Sequence, residues 1–304
     1  MIIAVFPGQG SQSPGFLAPW LELDGVAARL AAYSEWAEVD LIAAGTEWDA
    51  DRIRDTRVAQ PLIVAASLLS WSALGATDGI HGFAGHSVGE FAAAAAAGIL
   101  SEEDALRLVG IRGRAMAEAA ALEQTGMSAV IGGDQATVVA RLDELDLTPA
   151  NYNGGGQIVA AGALDALAAL AAEPPAGTRV IPLQVAGAFH TRYMAPAVEA
   201  LRSAIEGVDA TDPARTVWTN HDGSAVAAGS DFTRLLVDQV ASPVRWDLCM
   251  QAFGDAGAAG IIELAPAGTL VGLAKRALRG TPTVALKTPG DLDAAVALLS
   301  GGNA

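Results

Sequence analysis

Apolar runs and helical patterns alternate along the first third of the chain. Residues 1–6 are apolar without a break and stop at Pro7-Gly8, as is typical of a strand buried on both faces. A second apolar run at 80–84 leads into a glycine-rich turn, and the alanine-rich segment 90–97 after it has a helical pattern. Because strands that alternate with helices favour a parallel sheet covered by helices, we predict an α/β fold.

The pattern changes near residue 127. From there it predicts, in order, a strand at 127–131, a helix at 136–145, a hairpin at 151–162, a helix at 165–172 and a strand at 179–185. This is the ferredoxin-like order of elements. We therefore predict a small ferredoxin-like subdomain at residues 124–189, inserted into a large subdomain that comprises residues 1–123 and 190–304.

The large subdomain is predicted to hold the remaining elements. Ser101, followed by three acidic residues, is typical of a helix N-cap, and the helix after it would carry Arg107, Arg112 and Arg114. Further helices are predicted at 195–205 and 231–240, and short strands at 260–264 and 283–286.

Composition and charge argue against several functions. The 304 residues carry a formal net charge of −16 and no long basic run, which disfavours binding to a nucleic-acid backbone. No apolar stretch approaches the roughly 20 residues of a transmembrane helix, so we expect no membrane span and a cytoplasmic location. The single cysteine, Cys249, excludes an internal disulfide and is expected to be buried. The four histidines form no cluster with zinc-like spacing, so no metal site is expected.

The segment Gly85-His86-Ser87-Val88-Gly89 has the G-x-S-x-G pattern of a nucleophile elbow. It lies between a predicted strand and a predicted helix, where small flanking residues permit the tight turn that presents a serine hydroxyl. This makes Ser87 the candidate nucleophile and the large subdomain α/β-hydrolase-like. The amide of Val88, at the N-terminus of the helix, would point at an oxyanion formed on the acyl carbon.

A serine nucleophile needs a base, and the chain offers four histidines. His86 adjoins the serine, and consecutive side chains on a tight turn diverge. His81 lies within the apolar run before the turn, and His221 lies in a predicted surface turn. His190 remains, at the predicted end of a strand. No acidic residue is a convincing third member, so a main-chain or amide carbonyl is the other way to orient the base.

The loop Gly8-Gln9-Gly10-Ser11-Gln12 follows the first predicted strand. Its glycines would let a backbone amide approach the reacting carbon, which makes the loop a candidate source of the second oxyanion donor. The loop lacks the Gly-Lys-Ser/Thr ending of a phosphate-binding loop, so it does not predict nucleotide hydrolysis.

Five motifs occur together in an order that resembles a known family. They are Phe6-Pro7-Gly8-Gln9-Gly10-Ser11-Gln12, Gly85-His86-Ser87-Val88-Gly89-Glu90, Arg112-Gly113, Phe189-His190 and Gln239-x-x-x-Pro243-Val244-Arg245-Trp246. Together they resemble the malonyl-CoA:acyl carrier protein transacylases of bacterial fatty-acid synthesis, over almost the whole chain. The acyltransferase domains of polyketide synthases share these features, so a stand-alone polyketide acyltransferase is the nearest alternative.

The resemblance implies roles for individual residues. Ser87 and His190 match the serine-histidine dyad of the family. Gln239 matches the glutamine whose carbonyl orients the histidine. The backbone amides of Gln9 and Val88 match the two donors of the oxyanion hole.

Three further residues match positions that contact or select the substrate. Arg112 matches the arginine that pairs with the free carboxylate, for which a guanidinium is suited because its planar fork makes two hydrogen bonds and keeps its charge. Phe189 is the aromatic residue that goes with malonyl rather than methylmalonyl in polyketide domains, because its ring fills the space of an α-methyl group. Asn153, in the predicted hairpin, is a candidate substrate neighbour, although three glycines follow it where the family often has a proline.

The resemblance implies transfer of a malonyl group from malonyl-CoA to the phosphopantetheine thiol of acyl carrier protein, through a malonyl-serine intermediate. No metal or redox cofactor is expected, since coenzyme A enters as part of the substrate. The residues alone also admit a serine thioesterase or esterase, and a catalytically silent module that binds the carrier. Because the carrier and coenzyme A are acidic, as is this chain, we predict a local basic docking surface that includes Lys275 and Arg276.

Overall fold

The computed structural model describes residues 1–75 and 77–301. The strands in these residues are β1 (Ile2–Phe6), β2 (Ile80–Gly85), β3 (Thr125–Gly132), β4 (Thr148–Gly154), β5 (Gln157–Ala163), β6 (Thr178–Pro182), β7 (Thr216–Trp218), β8 (Ala225–Val226), β9 (Gly260–Glu263) and β10 (Thr283–Ala285). The α-helices are α1 (Val26–Ala37), α2 (Leu41–Thr46), α3 (Ala50–Arg54), α4 (Thr56–Leu74), α5 (Gly89–Ala96), α6 (Glu102–Ala120), α7 (Gln135–Glu144), α8 (Leu164–Ala172), α9 (Ala195–Ile205), α10 (Gly229–Asp238), α11 (Trp246–Asp255), α12 (Thr269–Ala277) and α13 (Leu292–Leu299). Short 3-10 helices lie at Ala18–Glu22, Arg192–Met194, Gln239–Ala241 and Pro289–Asp291.

The larger sheet has the strand order β10-β9-β1-β2-β7-β8. Its strands are parallel except for β8, which pairs antiparallel with β7. All five residues of β1 are buried, as a central strand covered on both faces requires. The carboxyl ends of β1 and β2 therefore lie side by side, and the two motif-bearing loops follow them. The predicted α/β fold with a parallel sheet is confirmed.

The second sheet is a separate antiparallel unit with the order β4-β5-β3-β6. Its elements follow the chain as strand, helix, strand, strand, helix, strand. One face of the sheet packs on α7 and α8 through an apolar cluster that includes Val130, Val138, Leu142, Ile158, Leu167 and Leu170. The strand predicted at 179–185 is observed at Thr178–Pro182 and so ends three residues earlier than predicted. The amide of Leu183 makes a last bond to the carbonyl of Met127 in β3, and the amide of Val185 then turns back to the carbonyl of Leu183.

Strand β4 also joins the two units. The amide of Tyr152 donates to the carbonyl of Val244 at 2.9 Å, and the amide of Val244 donates to the carbonyl of Ala150 at 2.9 Å. Because the segment before α11 thus extends the small sheet, the two units meet along a defined line.

Helix α4 is the exception to the expectation that no segment could cross a membrane. Its 19 residues are long and apolar enough by length and composition, but 72% of the apolar window is buried inside the fold. Within the core, the hydroxyl of Ser67 donates to the carbonyl of Ala265, and the hydroxyl of Ser70 accepts from the amide of Ala265. These contacts are those of a central helix in a globular core. Cys249 is also fully buried, as predicted.

Candidate active site

The chain makes a sharp turn between β2 and α5, and Ser87 lies at its tip. Ser87 has a left-handed backbone with φ of 52°, which is rare for a residue with a side chain. Glycines are required on both sides. A Cβ at position 85 would lie 2.0 Å from the carbonyl carbon of Gly89, and a Cβ at position 89 would lie 2.2 Å from the carbonyl oxygen of Phe6. The turn therefore has the geometry of a nucleophile elbow.

Ser87 and His190 are directly hydrogen-bonded. The Oγ of Ser87 lies 2.7 Å from Nε2 of His190, and Nδ1 of His190 lies 2.8 Å from the main-chain carbonyl oxygen of Gln239. Because a carbonyl can only accept, Nδ1 carries the proton and Nε2 is free to accept the serine proton. The sequence analysis left open whether a main-chain or a side-chain amide carbonyl orients the histidine in place of an acidic residue. In the structure it is the main-chain carbonyl of Gln239.

His190 reaches this position from a loop. It was predicted at the end of a strand, but β6 ends at Pro182, and His190 lies in the connection that leads to the 3-10 helix Arg192–Met194. Its φ of 62° is also left-handed. The chain is held in this turn by Thr125, whose Oγ1 accepts from the amide of Ala188, and by Thr191, whose hydroxyl donates to the carbonyl of Ala188.

Burial decides the protonation state of His190. His190 is 4% exposed, and its pKa is lowered to about 3, mainly because burial removes hydration from the charged form. The positive charge of Arg112 contributes to this lowering of the pKa, and the bond to Gln239 opposes it. His190 is therefore neutral near pH 7, which is the form that a base requires.

Arg112 lies beside the dyad, although its side chain is only 1% exposed. One terminal nitrogen donates to Oε1 of Gln60 at 2.7 Å, and the other donates to Oε1 of Gln239 at 3.0 Å and lies 3.4 Å from Oγ of Ser87. Burial lowers the pKa of Arg112 to about 10, so it remains a cation near pH 7. Within residues 1–75 and 77–301, Nε of Arg112 has no hydrogen-bonding partner and no carboxylate lies within 4.0 Å of the guanidinium.

The two residues predicted to supply the oxyanion donors, Gln9 and Val88, line the same cleft as Ser87. Gln9 follows β1, and its side-chain nitrogen lies 3.4 Å from the hydroxyl of Thr56. Val88 follows Ser87 directly and precedes α5. Among the described residues, no backbone carbonyl accepts a hydrogen bond from the amide of Gln9 or of Val88, so both amides are available to an oxyanion.

Asn220 braces the turn, and sequence reasoning missed it. Its Oδ1 accepts from the amide of Ser87 at 2.7 Å, and its Nδ2 donates to the carbonyl of Gly85 at 2.7 Å. Asn220 comes two residues after β7, the parallel neighbour of β2. The three residues of β7 are too few to give a recognisable apolar pattern, so no signal pointed to Asn220.

Glu90 and Gln60 were also missed as members of the site. Glu90 lies in the first turn of α5, is 1% exposed, and accepts from Nε2 of Gln239 and from the amide of Asn220, both at 2.6 Å. Burial raises the pKa of Glu90 to about 8, against the opposing effects of the Asn220 bond and the Arg112 charge. Glu90 is part of a motif quoted above, and a charged residue on an apolar helix was the available signal. Gln60 lies in α4, a helix that the sequence analysis did not predict.

The other histidines do not contact Ser87 as a base. Nε2 of His86 pairs with Oδ1 of Asn153 at 2.9 Å, which connects the elbow to β4 of the small unit. His81 is exposed and its Nδ1 accepts from the amide of Ile2, and His221 lies in an exposed turn.

A cavity of about 510 Å³ lies between the two units, over the dyad. Its walls include Gln9, Ser87, Arg112 and His190 from the large unit, and Met127 and Asn153 from the small one. Phe189, 6% exposed, also lines it. The part of the chain that the structure describes has no group of three His, Cys, Asp or Glu side chains that could hold a metal ion.

The predicted docking residues lie on a helix that borders this cavity. Thr269, Leu270 and Leu273 of α12 line the cavity, and Lys275 and Arg276 follow in its last turn with exposed side chains.

Comparison with known proteins agrees with this geometry. Residues 3–296 match the family model described as acyl transferase domain. The malonyl CoA-acyl carrier protein transacylase of Mycolicibacterium smegmatis is 53% identical over 91% of this chain and 98% of its own length. This chain belongs to the malonyl-CoA:acyl carrier protein transacylase family.

Solved structures of the transacylase family share its mixed α/β fold. MCAT from Mycobacterium tuberculosis has a TM-score of 0.94 and 50% identity, covering 97% of this chain and 99% of that one. A malonyl-transacylase solved in complex with a type II polyketide synthase acyl-carrier protein has a TM-score of 0.90 and 29% identity, with 99% of each chain covered.

Proposed function

We propose that this acyltransferase moves a malonyl group from malonyl-CoA to the phosphopantetheine thiol of an acyl carrier protein, through a malonyl ester on Ser87. The proposed role is the supply of chain-extension units for fatty-acid synthesis, as the family resemblance implies.

The position of Arg112 carries this proposal. A buried cation with no carboxylate within 4.0 Å among the described residues lies 3.4 Å from the nucleophilic oxygen. An acyl group with a free carboxylate would supply the missing counter-charge, whereas an acetyl group would leave the charge unpaired at a cost of several kcal/mol. The site therefore favours an acyl group whose free carboxylate is separated from the thioester carbonyl by one carbon. Malonyl is such a group.

The first half of the reaction forms the acyl-enzyme. Nε2 of His190 takes the proton of Ser87 while Oγ attacks the thioester carbon, and the carbonyl electron pair moves to oxygen. The amides of Gln9 and Val88 donate to this oxyanion. When the carbonyl re-forms, the carbon–sulfur bond breaks, and the thiol of coenzyme A leaves with the proton from His190.

The second half repeats these steps with a new nucleophile. The carrier's thiol gives its proton to His190 and attacks the Ser87 ester, and Oγ leaves and regains the proton. A malonyl carboxylate on Arg112 reduces the electrostatic penalty for protonating His190 in both halves, because it offsets the cation that lowers the histidine pKa.

The division of the chain is part of the same proposal. We assign residues 1–123 and 190–304 to an α/β-hydrolase-like subdomain and residues 124–189 to a ferredoxin-like subdomain. The elbow after a parallel strand supports the first assignment, and the element order together with the sheet order β4-β5-β3-β6 supports the second.

Lys275 and Arg276 are proposed to dock the acidic carrier. They are exposed at the end of α12 and, among the described residues, no carboxylate lies within 4.0 Å of either. Because the start of α12 lines the cavity, a carrier bound at its end lies within reach of the dyad.

Incubation with radiolabelled malonyl-CoA, followed by addition of carrier protein, tests the proposal. The wild-type protein is expected to accumulate a labelled ester that the carrier removes, and Ser87→Ala is expected to carry no label. Free malonate released before carrier is added would indicate a thioesterase instead. Absence of label in the wild type would indicate a silent carrier-binding module, and discharge onto a polyketide carrier but not a fatty-acid carrier would move the protein to polyketide synthesis.

A further inference from the structure

Glu90 has a place in the site that the two-step mechanism does not use. It lies one turn from the nucleophile, in the first turn of α5, and faces inward. One carboxyl oxygen accepts from the amide of Asn220 and the other from Nε2 of Gln239, each at 2.6 Å. Among the described residues, neither carboxyl oxygen is hydrogen-bonded to Ser87 or His190, so we argue its effect on the reaction through a neighbour.

That neighbour is the side chain of Gln239, because an amide has two different ends. Nε2 can only donate and Oε1 can only accept. Glu90 accepts from Nε2, so Oε1 must point the opposite way, where it accepts from Arg112 at 3.0 Å. The carbonyl of Ser87 and Oδ1 of Asn220 lie 3.2 and 3.3 Å from Nε2 and favour the same orientation.

The orientation of Gln239 in turn decides what Arg112 meets. With Oε1 towards it, the guanidinium has one acceptor from Gln239 and one from Gln60, and these two bonds hold it beside Ser87. With the amide reversed, two donors would face each other, and a buried cation would lose an acceptor.

We infer that Glu90 is a positioning residue that orients the Gln239 amide and thereby holds Arg112 in place to select a carboxylate-bearing acyl group. The inference rests on the proposed function, since it concerns how the same site chooses its substrate. It separates two roles of Gln239: the main-chain carbonyl orients His190 for any acyl group, and the side chain orients Arg112 for an acidic one.

Glu90→Gln tests the inference because it changes one acceptor and little else. The comparison is made above pH 8, because burial raises the pKa of Glu90 to about 8. There Glu90 is a carboxylate that accepts on both oxygens, whereas glutamine accepts on one atom only. The fixed main-chain amide of Asn220 retains that oxygen, so the new NH2 group faces Nε2 of Gln239. The repulsion between these two donors opposes the orientation that the carbonyl of Ser87, Oδ1 of Asn220 and Arg112 favour, and the hydrogen bond from Arg112 to Gln239 is lost or weakened. The bond from His190 to the Gln239 main chain is unaffected.

The measurement is the single-turnover rate of Ser87 acylation by malonyl-CoA and by acetyl-CoA. Glu90→Gln is expected to lower the malonyl-to-acetyl ratio of these rates by at least about tenfold, the loss of one hydrogen bond to a charged group. The rate with acetyl-CoA is expected to fall less than the rate with malonyl-CoA, because the Ser87–His190 pair is intact and acetyl makes no ion pair with Arg112.

Glu263→Gln is the matched control. Glu263 is another fully buried glutamate, but its carboxylate accepts from the amides of Gly268, Leu270 and Val271, away from Arg112. This control is expected to lower the melting temperature while leaving the malonyl-to-acetyl ratio unchanged. A similar fall of the malonyl-to-acetyl ratio in both variants would show that the ratio follows the stability of the fold, and would overturn the inference.

A double variant tests the route through Gln239. If Glu90 acts through that side chain, the double variant Glu90→Gln with Gln239→Ala has the same malonyl-to-acetyl ratio as Gln239→Ala alone. If the double variant instead lowers the ratio by the product of the two single effects, Glu90 does not act through Gln239. An unchanged ratio in Glu90→Gln also overturns the inference while the wild-type malonyl ester still supports the proposed function. Absence of that ester in wild type would overturn the proposed function itself.

Discussion

The guanidinium of Arg112 lies 3.4 Å from the hydroxyl oxygen of Ser87, and both residues line the cavity. A cation this close to a nucleophile serves the chemistry in two opposite ways. It offers a charged partner to an acidic acyl group, and it disfavours the protonated form of His190. The net effect depends on whether the acyl group brings a carboxylate.

Replacement of Arg112 is therefore expected to change substrate preference more than general activity. Arg112→Ala should lower kcat/KM for malonyl-CoA by about 10²- to 10³-fold, the cost of removing one partner of a buried charged pair. Acylation by acetyl-CoA should be unchanged or faster, because no buried cation remains unpaired. Arg112→Lys should recover malonyl activity only in part, since an ammonium lacks the planar fork. Equal losses with both substrates in steady-state assays would contradict this role.

The pH dependence of acylation follows from the lowered pKa of His190. A base is active when neutral, so activity should persist as pH falls below the ordinary histidine value near 6.5 and be lost only as pH approaches the lowered value of about 3. Single-turnover acylation with acetyl-CoA, measured down to the acid limit of stability, checks this. In Arg112→Ala the acid limb should move to higher pH, because one cause of the lowered pKa is gone. An acid limb near 6.5 in the wild type would show that the imidazole is hydrated.

The glycines of the elbow should tolerate no side chain. Gly89→Ala places a Cβ 2.2 Å from the main-chain oxygen of Phe6, so we expect unfolding to become easier by about 3 kcal/mol or more, with loss of acylation. Gly272→Ala is the control: it lies in α12, and its Cβ would meet nothing within 4 Å. Removing a helical glycine there should stabilise the protein by about 1 kcal/mol. Urea unfolding of both variants measures the difference.

Charge reversal at the end of α12 should weaken carrier use alone. Lys275→Glu with Arg276→Glu is expected to raise KM for the carrier about tenfold at low salt and to flatten its salt dependence, without a change in acylation by malonyl-CoA. Arg202→Glu with Arg234→Glu, on the exposed faces of α9 and α10, is the control for the same change of net charge, because no residue of either helix lines the cavity. A carrier KM that is equal in wild type and double variant would place the docking surface elsewhere.

Much of the architecture was predictable because local pattern is sufficient for it. Long apolar runs such as β1, and the spacing of glycines around Ser87, depend on burial and on turn geometry that act within a few residues. Elements without such a pattern were missed. The three-residue strand β7 is held only by pairing with β2, and α4 is apolar nearly all round because the core surrounds it.

The sequence by itself predicted Ser87 as the nucleophile, favoured His190 among four histidines by elimination, and carried the family resemblance that marks Arg112 and Gln239. Only the tertiary structure decided which atoms of Gln239 act: its main-chain carbonyl holds His190, while its side chain lies between Glu90 and Arg112. It also brought Asn220 and Gln60 to the site from β7 and α4. A motif is a set of neighbours along the chain, whereas hydrogen bonds between residues more than a hundred positions apart exist only after the sheet and helices have packed.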